Sequence, residues 1–175
     1  NFSSDPANPI EGQVWYNTTS NVLKVRKPLI SAWATANSMP TARIGLAGAG
    51  IQTAALAFGG TPGDQTLTFS YNGTNWTAVN GLNTGRLFLA GAGASNTAAL
   101  AFGGSPAKTE TETWNGTNWT EVNNLNTARV YLAGCGATNT AALAFGGVAS
   151  GGSPPYLALT ETWNGTNWTE VNDLN

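Results

Sequence analysis

The sequence contains no histidine and a single cysteine, Cys135. Without histidine there is no Ser-His-Asp or Cys-His nucleophile, no His-ligated zinc or copper, and not the commonest general base. One cysteine makes neither an internal disulfide nor a thiolate cluster. Cys135 is expected to be a small buried residue. Charge is scarce too: 9% of the 175 residues, nine acidic and seven basic, for a net charge of -2. Soluble proteins average about 25%. Without a basic stripe to neutralise phosphates, the chain is not expected to bind nucleic acid, and it has no polybasic membrane anchor. No apolar run approaches the roughly 20 residues of a membrane-spanning helix, so no membrane insertion is expected. The chain begins at Asn1, which fits a processed chain or a fragment. Asp5, Asp64 and Asp173 are scattered, and neither a calcium-loop pattern nor a Gly-Lys-Ser/Thr phosphate loop occurs; no metal and no cofactor is expected.

What is present is aromatic and repetitive. Seven Trp, six Phe and four Tyr are too many for a solvated tail. Thr-Ala-Ala-Leu-Ala-Phe-Gly-Gly occurs at 53–60, 97–104 and 140–147, and Asn-Gly-Thr-Asn-Trp-Thr begins at Asn72, Asn115 and Asn164. Arg43, Arg86 and Arg129 are 43 residues apart; Trp76, Trp119 and Trp168 are separated by 43 and then 49. The additional six residues fall near Val148–Tyr156, in a Gly/Ser/Pro-rich stretch that reads as an enlarged loop.

Each repeat reads as four strands. In the second they are Arg86–Gly93 (a), Thr97–Phe102 (b), Thr109–Trp114 (c) and Asn118–Val122 (d), with Asn115-Gly116 as the hairpin turn between c and d. The turn brings Trp114 and Trp119 together across paired strands. The Ala-rich runs do not read as helices, because the recurrent glycines would each cost about 1 kcal/mol there. Strands a and b are expected to be inner and apolar, c and d outer and more polar. Four antiparallel strands every 40 to 50 residues are the sequence form of a propeller blade.

The Ala-Leu-Ala-Phe-Gly-Gly blocks, the Trp near the turn and Leu-Asn-Thr-Ala-Arg resemble kelch repeats, although the c–d hairpin is shorter than in typical kelch blades. The resemblance covers about residues 39–175, with repeats near 43–81, 86–124 and 129–173. It implies an all-β, kelch-like β-propeller that binds through its loops, here 61–66, 105–109 and 148–158. Residues 1–38 differ. Gln13–Tyr16 and Val22–Val25 are expected to pair as a hairpin, and Ala32-Trp33-Ala34-Thr35 matches strand d, so the segment reads as a partial blade. Its Glu-Gly-Gln-Val-Trp-Tyr-Asn-Thr-Thr stretch, followed by Leu-Lys-Val, resembles segments of bacteriophage tail-fibre and other virion proteins, which implies a virion or extracellular location. Three blades and a part are fewer than the usual 4 to 8 of a ring. Either the N-terminal hairpin stands in as a fourth blade, or another copy covers the open ends, giving a homo-oligomer or filament; self-association is favoured.

Candidate site residues carry two readings each. Arg43, Arg86 and Arg129 either hold anionic glycans bidentately or tether neighbouring blades. Trp76, Trp119 and Trp168, with Trp114 and Trp163, either offer platforms for sugars or wedge between blades as core. Tyr156, on the enlarged loop, is a further binding candidate. Glu110 and Glu112 share a strand face, and Glu121 and Glu170 hold matching places on strand d. Such carboxylates are either an acid–base set for glycoside cleavage or an exposed outer face; because a catalytic pair is needed only once, repetition favours the exposed face. Among the Asn-X-Ser/Thr sequons, Asn17, Asn72, Asn115 and Asn164 are either glycosylation acceptors or plain turn chemistry. The expected function is a non-enzymatic structural and binding module facing a host-surface glycan or protein. The alternatives are a self-assembling subunit and a glycan-active enzyme using Glu121 or Glu170.

Overall fold

The computed structural model describes residues 2–8, 12–26, 35–63, 65–149 and 156–174. The chain forms two compact units, Asn1–Thr35 and Ala36–Asn175.

In the first unit, β1 (Val14–Asn17) pairs antiparallel with β2 (Val22–Val25), Val14 facing Val25 and Asn17 facing Val22. The Asn17 side chain builds the turn by accepting from the Thr19 and Ser20 amides at 3.0 and 2.9 Å. Asp5 ties the hairpin down. Its Oδ1 accepts from Trp15 Nε1 (3.1 Å) and Asn17 Nδ2 (2.8 Å), and its Oδ2 pairs with Lys24 Nζ at 2.7 Å. Hydrogen bonds from Lys24, Asn17 and Trp15 lower the Asp5 carboxyl to about 2. The expected third strand, with Trp33, lies outside the described residues.

The second unit is three four-stranded antiparallel sheets, each a simple meander. Sheet I is β3 (Ile44–Ile51), β4 (Ala54–Thr61), β5 (Thr68–Tyr71) and β6 (Trp76–Val79). Sheet II is β7 (Ala90–Ser95), β8 (Ala98–Phe102), β9 (Thr111–Trp114) and β10 (Trp119–Val122). Sheet III is β11 (Ala133–Thr138), β12 (Ala141–Phe145), β13 (Thr160–Trp163) and β14 (Trp168–Val171). No helix occurs among the described residues. The chain is thus all-β, and its repeated four-stranded units fit the form of blades. β7 lies against both β3 and β11, so the first strands of the sheets adjoin as expected for inner strands.

One boundary departs from expectation. Strand a of the second repeat starts at Ala90 rather than Arg86. Phe88 and Tyr131 take φ of 55° and 58°, where the first repeat has Gly45 at 66°. A positive φ lies outside the extended region, yet in the first repeat Gly45 takes it within β3. A ladder crosses the sheets there: the Phe88 amide donates to Gly45 O (2.7 Å) and the Tyr131 amide to Phe88 O (3.0 Å).

The core sits between sheets, not within one. Ala47, Leu56, Phe58, Leu89, Ala99, Ala101 and Trp119 fill the junction of I with II; Ala92, Leu100, Phe102, Leu132, Ala144 and Trp168 fill that of II with III. Each large side chain so buried contributes about 1.5–3 kcal/mol. Glycine permits the close approach. A Cβ on Gly91 would lie 2.7 Å from the Phe58 ring, and one on Gly134 2.5 Å from the Phe102 ring.

Candidate functional site

The arginines enter the sheets rather than solvent. Arg86 and Arg129 are fully buried. Arg86 donates to the Gly103 and Glu110 carbonyls at 3.1 and 2.6 Å and pairs with Glu112 at 2.9 Å. Arg129 repeats this with the Gly146 and Leu159 carbonyls, at 3.2 and 2.9 Å, and with Glu161 at 2.8 Å. Burial pulls the Arg86 guanidinium below its ordinary value, against the raising pull of Glu112 and Glu110. Arg43 donates to the Gly59, Gly60 and Pro62 carbonyls at 2.9, 2.7 and 3.3 Å. Each arginine is therefore a tether. The glycan-holding role for Arg86 and Arg129 gives way, because a buried, carboxylate-paired guanidinium has no face left for a ligand.

The carboxylates that do this tethering, Glu112 and Glu161, are about 1% exposed, which for Glu112 corrects the expected exposed face. Glu112 also accepts from the Asn83 amide and side chain at 2.7 and 2.9 Å and from the Thr84 amide at 3.3 Å. Glu161 takes the Asn126 amide and side chain, both at 2.8 Å. Each glutamate thus grips the Leu-Asn-Thr linker that enters its own sheet from the previous one. The missed signal was co-occurrence: in repeats two and three the glutamate comes with both the arginine and the linker asparagine. Glu110 is half-buried and pairs with Lys108 at 3.0 Å. Burial raises its carboxyl, but its backbone hydrogen bond and Lys108 outweigh this and hold it below the ordinary value. Glu121 and Glu170 are exposed, directly across the strands from Glu112 and Glu161.

Trp119 and Trp168 wedge between sheets and are not sugar platforms. Trp119 Nε1 donates to Thr68 Oγ1 of sheet I at 3.0 Å, and its ring meets Phe58 edge-on at 4.9 Å. Trp168 does the same with Thr111 Oγ1 (3.0 Å) and Phe102 (4.9 Å) of sheet II. Trp76, in sheet I, is half-buried and rests on Tyr71 at 4.9 Å. Cys135 corrects another expectation: it is exposed, and among the described residues no further sheet covers that side of β11. The Asn72, Asn115 and Asn164 side chains are exposed and accept from amides two and three residues on, at 2.8–3.0 Å. Asn17 is buried and its amide nitrogen is committed to Asp5.

One feature faces outward in a way that suits a ligand. Tyr131 and Tyr156, 60% and 79% exposed, line a hollow of about 520 Å³ with Gly147 and Val148. The rim is fixed by pairing: Val148 exchanges amide–carbonyl bonds with Val130 at 2.8 and 3.0 Å, and the Leu157 amide donates to Gly147 O at 2.9 Å. Phe88 stacks beneath Tyr131 at 4.4 Å. Sequence reasoning found Tyr156 and missed Tyr131; the signal was an aromatic residue where repeat one has glycine. The lining carries aromatic faces, hydroxyls and backbone polar groups, a set for binding rather than proton transfer. Asp64 and much of the 148–158 loop lie outside the described residues. Among the described residues, no group of three or more metal-binding side chains occurs. Compared with protein-family models and with curated proteins, the chain finds no match in either.

Proposed function

We propose that this chain is a non-enzymatic structural and binding module of a virion or other extracellular assembly, its three sheets being kelch-like propeller blades and its N-terminal hairpin a partial blade. The observation that carries the binding role is the hollow beside Tyr131 and Tyr156. Two exposed aromatic faces over a hydrogen-bonded rim suit a sugar ring, whose C–H face stacks while its hydroxyls meet polar groups. The ligand is therefore a host-surface glycan in preference to a protein. The resemblance of residues 9–25 to tail-fibre segments supports the location. Glycan-array binding that falls at least about tenfold in Tyr131→Ala and Tyr156→Ala is the expected result. No binding to any glycan, with particles lacking the protein adsorbing normally, defeats it.

A second reading, a subunit that assembles with its own copies, is favoured by the side of sheet III that no described residue covers. Against the enzymatic alternative through Glu121 or Glu170, the carboxylates directly across from them, Glu112 and Glu161, are bound to arginine. Glu121→Gln and Glu170→Gln are expected to leave any effect on polysaccharide unchanged.

A further inference from the structure

The two filled junctions share three contacts, and the end sheets lack all three in complementary fashion. At the first contact, Phe58 and Phe102 press onto Gly91 and Gly134 of the next sheet. At the second, Trp119 and Trp168 donate their indole N–H back to Thr68 and Thr111. At the third, Leu89 and Leu132 fill the space over Gly59 and Gly103, where a Cβ would meet them at 2.8 and 2.7 Å.

Sheet III holds the receiving half of this set, unfilled among the described residues. Phe145 is half-buried, whereas Phe58 and Phe102 are completely covered. Thr160 Oγ1 is buried and makes no hydrogen bond. A Cβ on Gly146 would find no atom nearer than 3.8 Å. Leu143 is 38% exposed while its counterparts Leu56 and Leu100 are covered, and beside it lies a shallow apolar hollow of about 370 Å³ lined by Cys135, Leu143 and Trp163. Sheet I holds the inserting half. Gly48 is exposed, and a Cβ there would meet only the Leu56 carbonyl of its own sheet, at 3.4 Å. Leu46 and Trp76 are half-buried, and the Trp76 indole makes no hydrogen bond among the described residues.

We propose that a second copy of this chain docks head-to-tail on sheet III, its sheet I making there the contacts that sheets II and III make within one chain. Phe145 then presses onto the partner's Gly48, the partner's Trp76 donates to Thr160 Oγ1, and the partner's Leu46 fills the space over Gly146. A buried hydroxyl without a partner costs about 1–3 kcal/mol, and docking removes that cost. The occupant follows from continuity: the same residue types already join I to II and II to III. Because the two surfaces differ, the contact is heterologous. Two chains that close on each other make a ring of six sheets, within the usual 4 to 8; without closure the contact propagates as a filament. This rests on the self-assembly reading and adds its surfaces and polarity.

Sedimentation velocity on the full chain at micromolar concentration tests it. The wild type is expected to self-associate. Trp76→Glu and Phe145→Glu should each dissociate to monomers, the dissociation constant rising at least about tenfold. Mixed in equal amounts, the two variants should form a one-to-one heterodimer, since each keeps the surface the other has lost. A monomeric wild type overturns this proposal and the self-assembly reading together. An oligomer that withstands both substitutions overturns the proposal alone, and so do dissociated variants that fail to complement. Should circular dichroism report a misfolded glutamate variant, Trp76→Phe and Thr160→Val keep the bulk and remove the hydrogen bond. They should weaken association severalfold without lowering the monomer's melting temperature, and unchanged association overturns the proposal.

Discussion

Sheet I and sheets II and III solve one problem differently. In each, an arginine before the first strand must be held by the sheet it opens. In II and III a buried glutamate meets it; in I the matching place on β5 is Phe69, also buried, and Arg43 bonds carbonyls around the Gly-Gly turn. The geometry shifts accordingly. Arg43 Nε reaches the Gly59 carbonyl, whereas Arg86 and Arg129, drawn toward their glutamates, bury an Nε that bonds nothing. The carbonyls are thus the common anchor, and the glutamate is an addition that also fixes the incoming linker through its asparagine. A buried ion pair gains little over apolar packing but is costly to break from one side.

That contrast makes the first prediction the largest. Glu112→Ala, which strands the Arg86 charge and frees Asn83, should cost about 3–5 kcal/mol in urea unfolding. Removing both charges by Arg86→Met with Glu112→Phe, which imports the Phe69 solution, should be neutral or stabilising by up to about 4 kcal/mol. If the double variant is as damaged as the single one, the glutamate is more than a dispensable partner. Trp119→Phe should cost about 1–3 kcal/mol by leaving Thr68 Oγ1 without its donor. Trp76→Phe, which breaks no hydrogen bond among the described residues, should leave monomer stability nearly unchanged by the same measurement. The smallest effect belongs to the N-terminal hairpin. Asp5 titrates near 2 in the fold against 3.8 for a free side chain. Its support is therefore present above pH 3.8 and is lost as pH falls through about 2. The Trp15 indole N–H resonance should shift over that window, and Asp5→Asn should abolish the shift.

Much of this was legible in the sequence because repetition supplies its own internal control. The four strands per repeat, the Asn-Gly turns and the tethering option for the arginines all follow from period and turn chemistry. Glu112 was misread because alternation along a short, Thr-rich strand does not say which face meets a neighbour; the burying surface comes from a linker some 28 residues earlier. The positive φ of Phe88 and Tyr131 was not foreseen because nothing in those residue types announces it; only comparison with Gly45 reveals it. Cys135 was misplaced because a small apolar residue on a strand does not say whether another sheet lies over it; it is exposed.

Because the linkers into sheets II and III are gripped by the sheets they enter, and each of those sheets brings its own tryptophan to the sheet behind, these two of the three cassettes carry both ends of their own couplings. Excising the middle one would set Leu132 over Gly59 and Trp168 against Thr68, residue types already used at those places. Length in such an array can change by recombination between near-identical segments without any new join having to be invented, and stability would step up or down by whole cassettes.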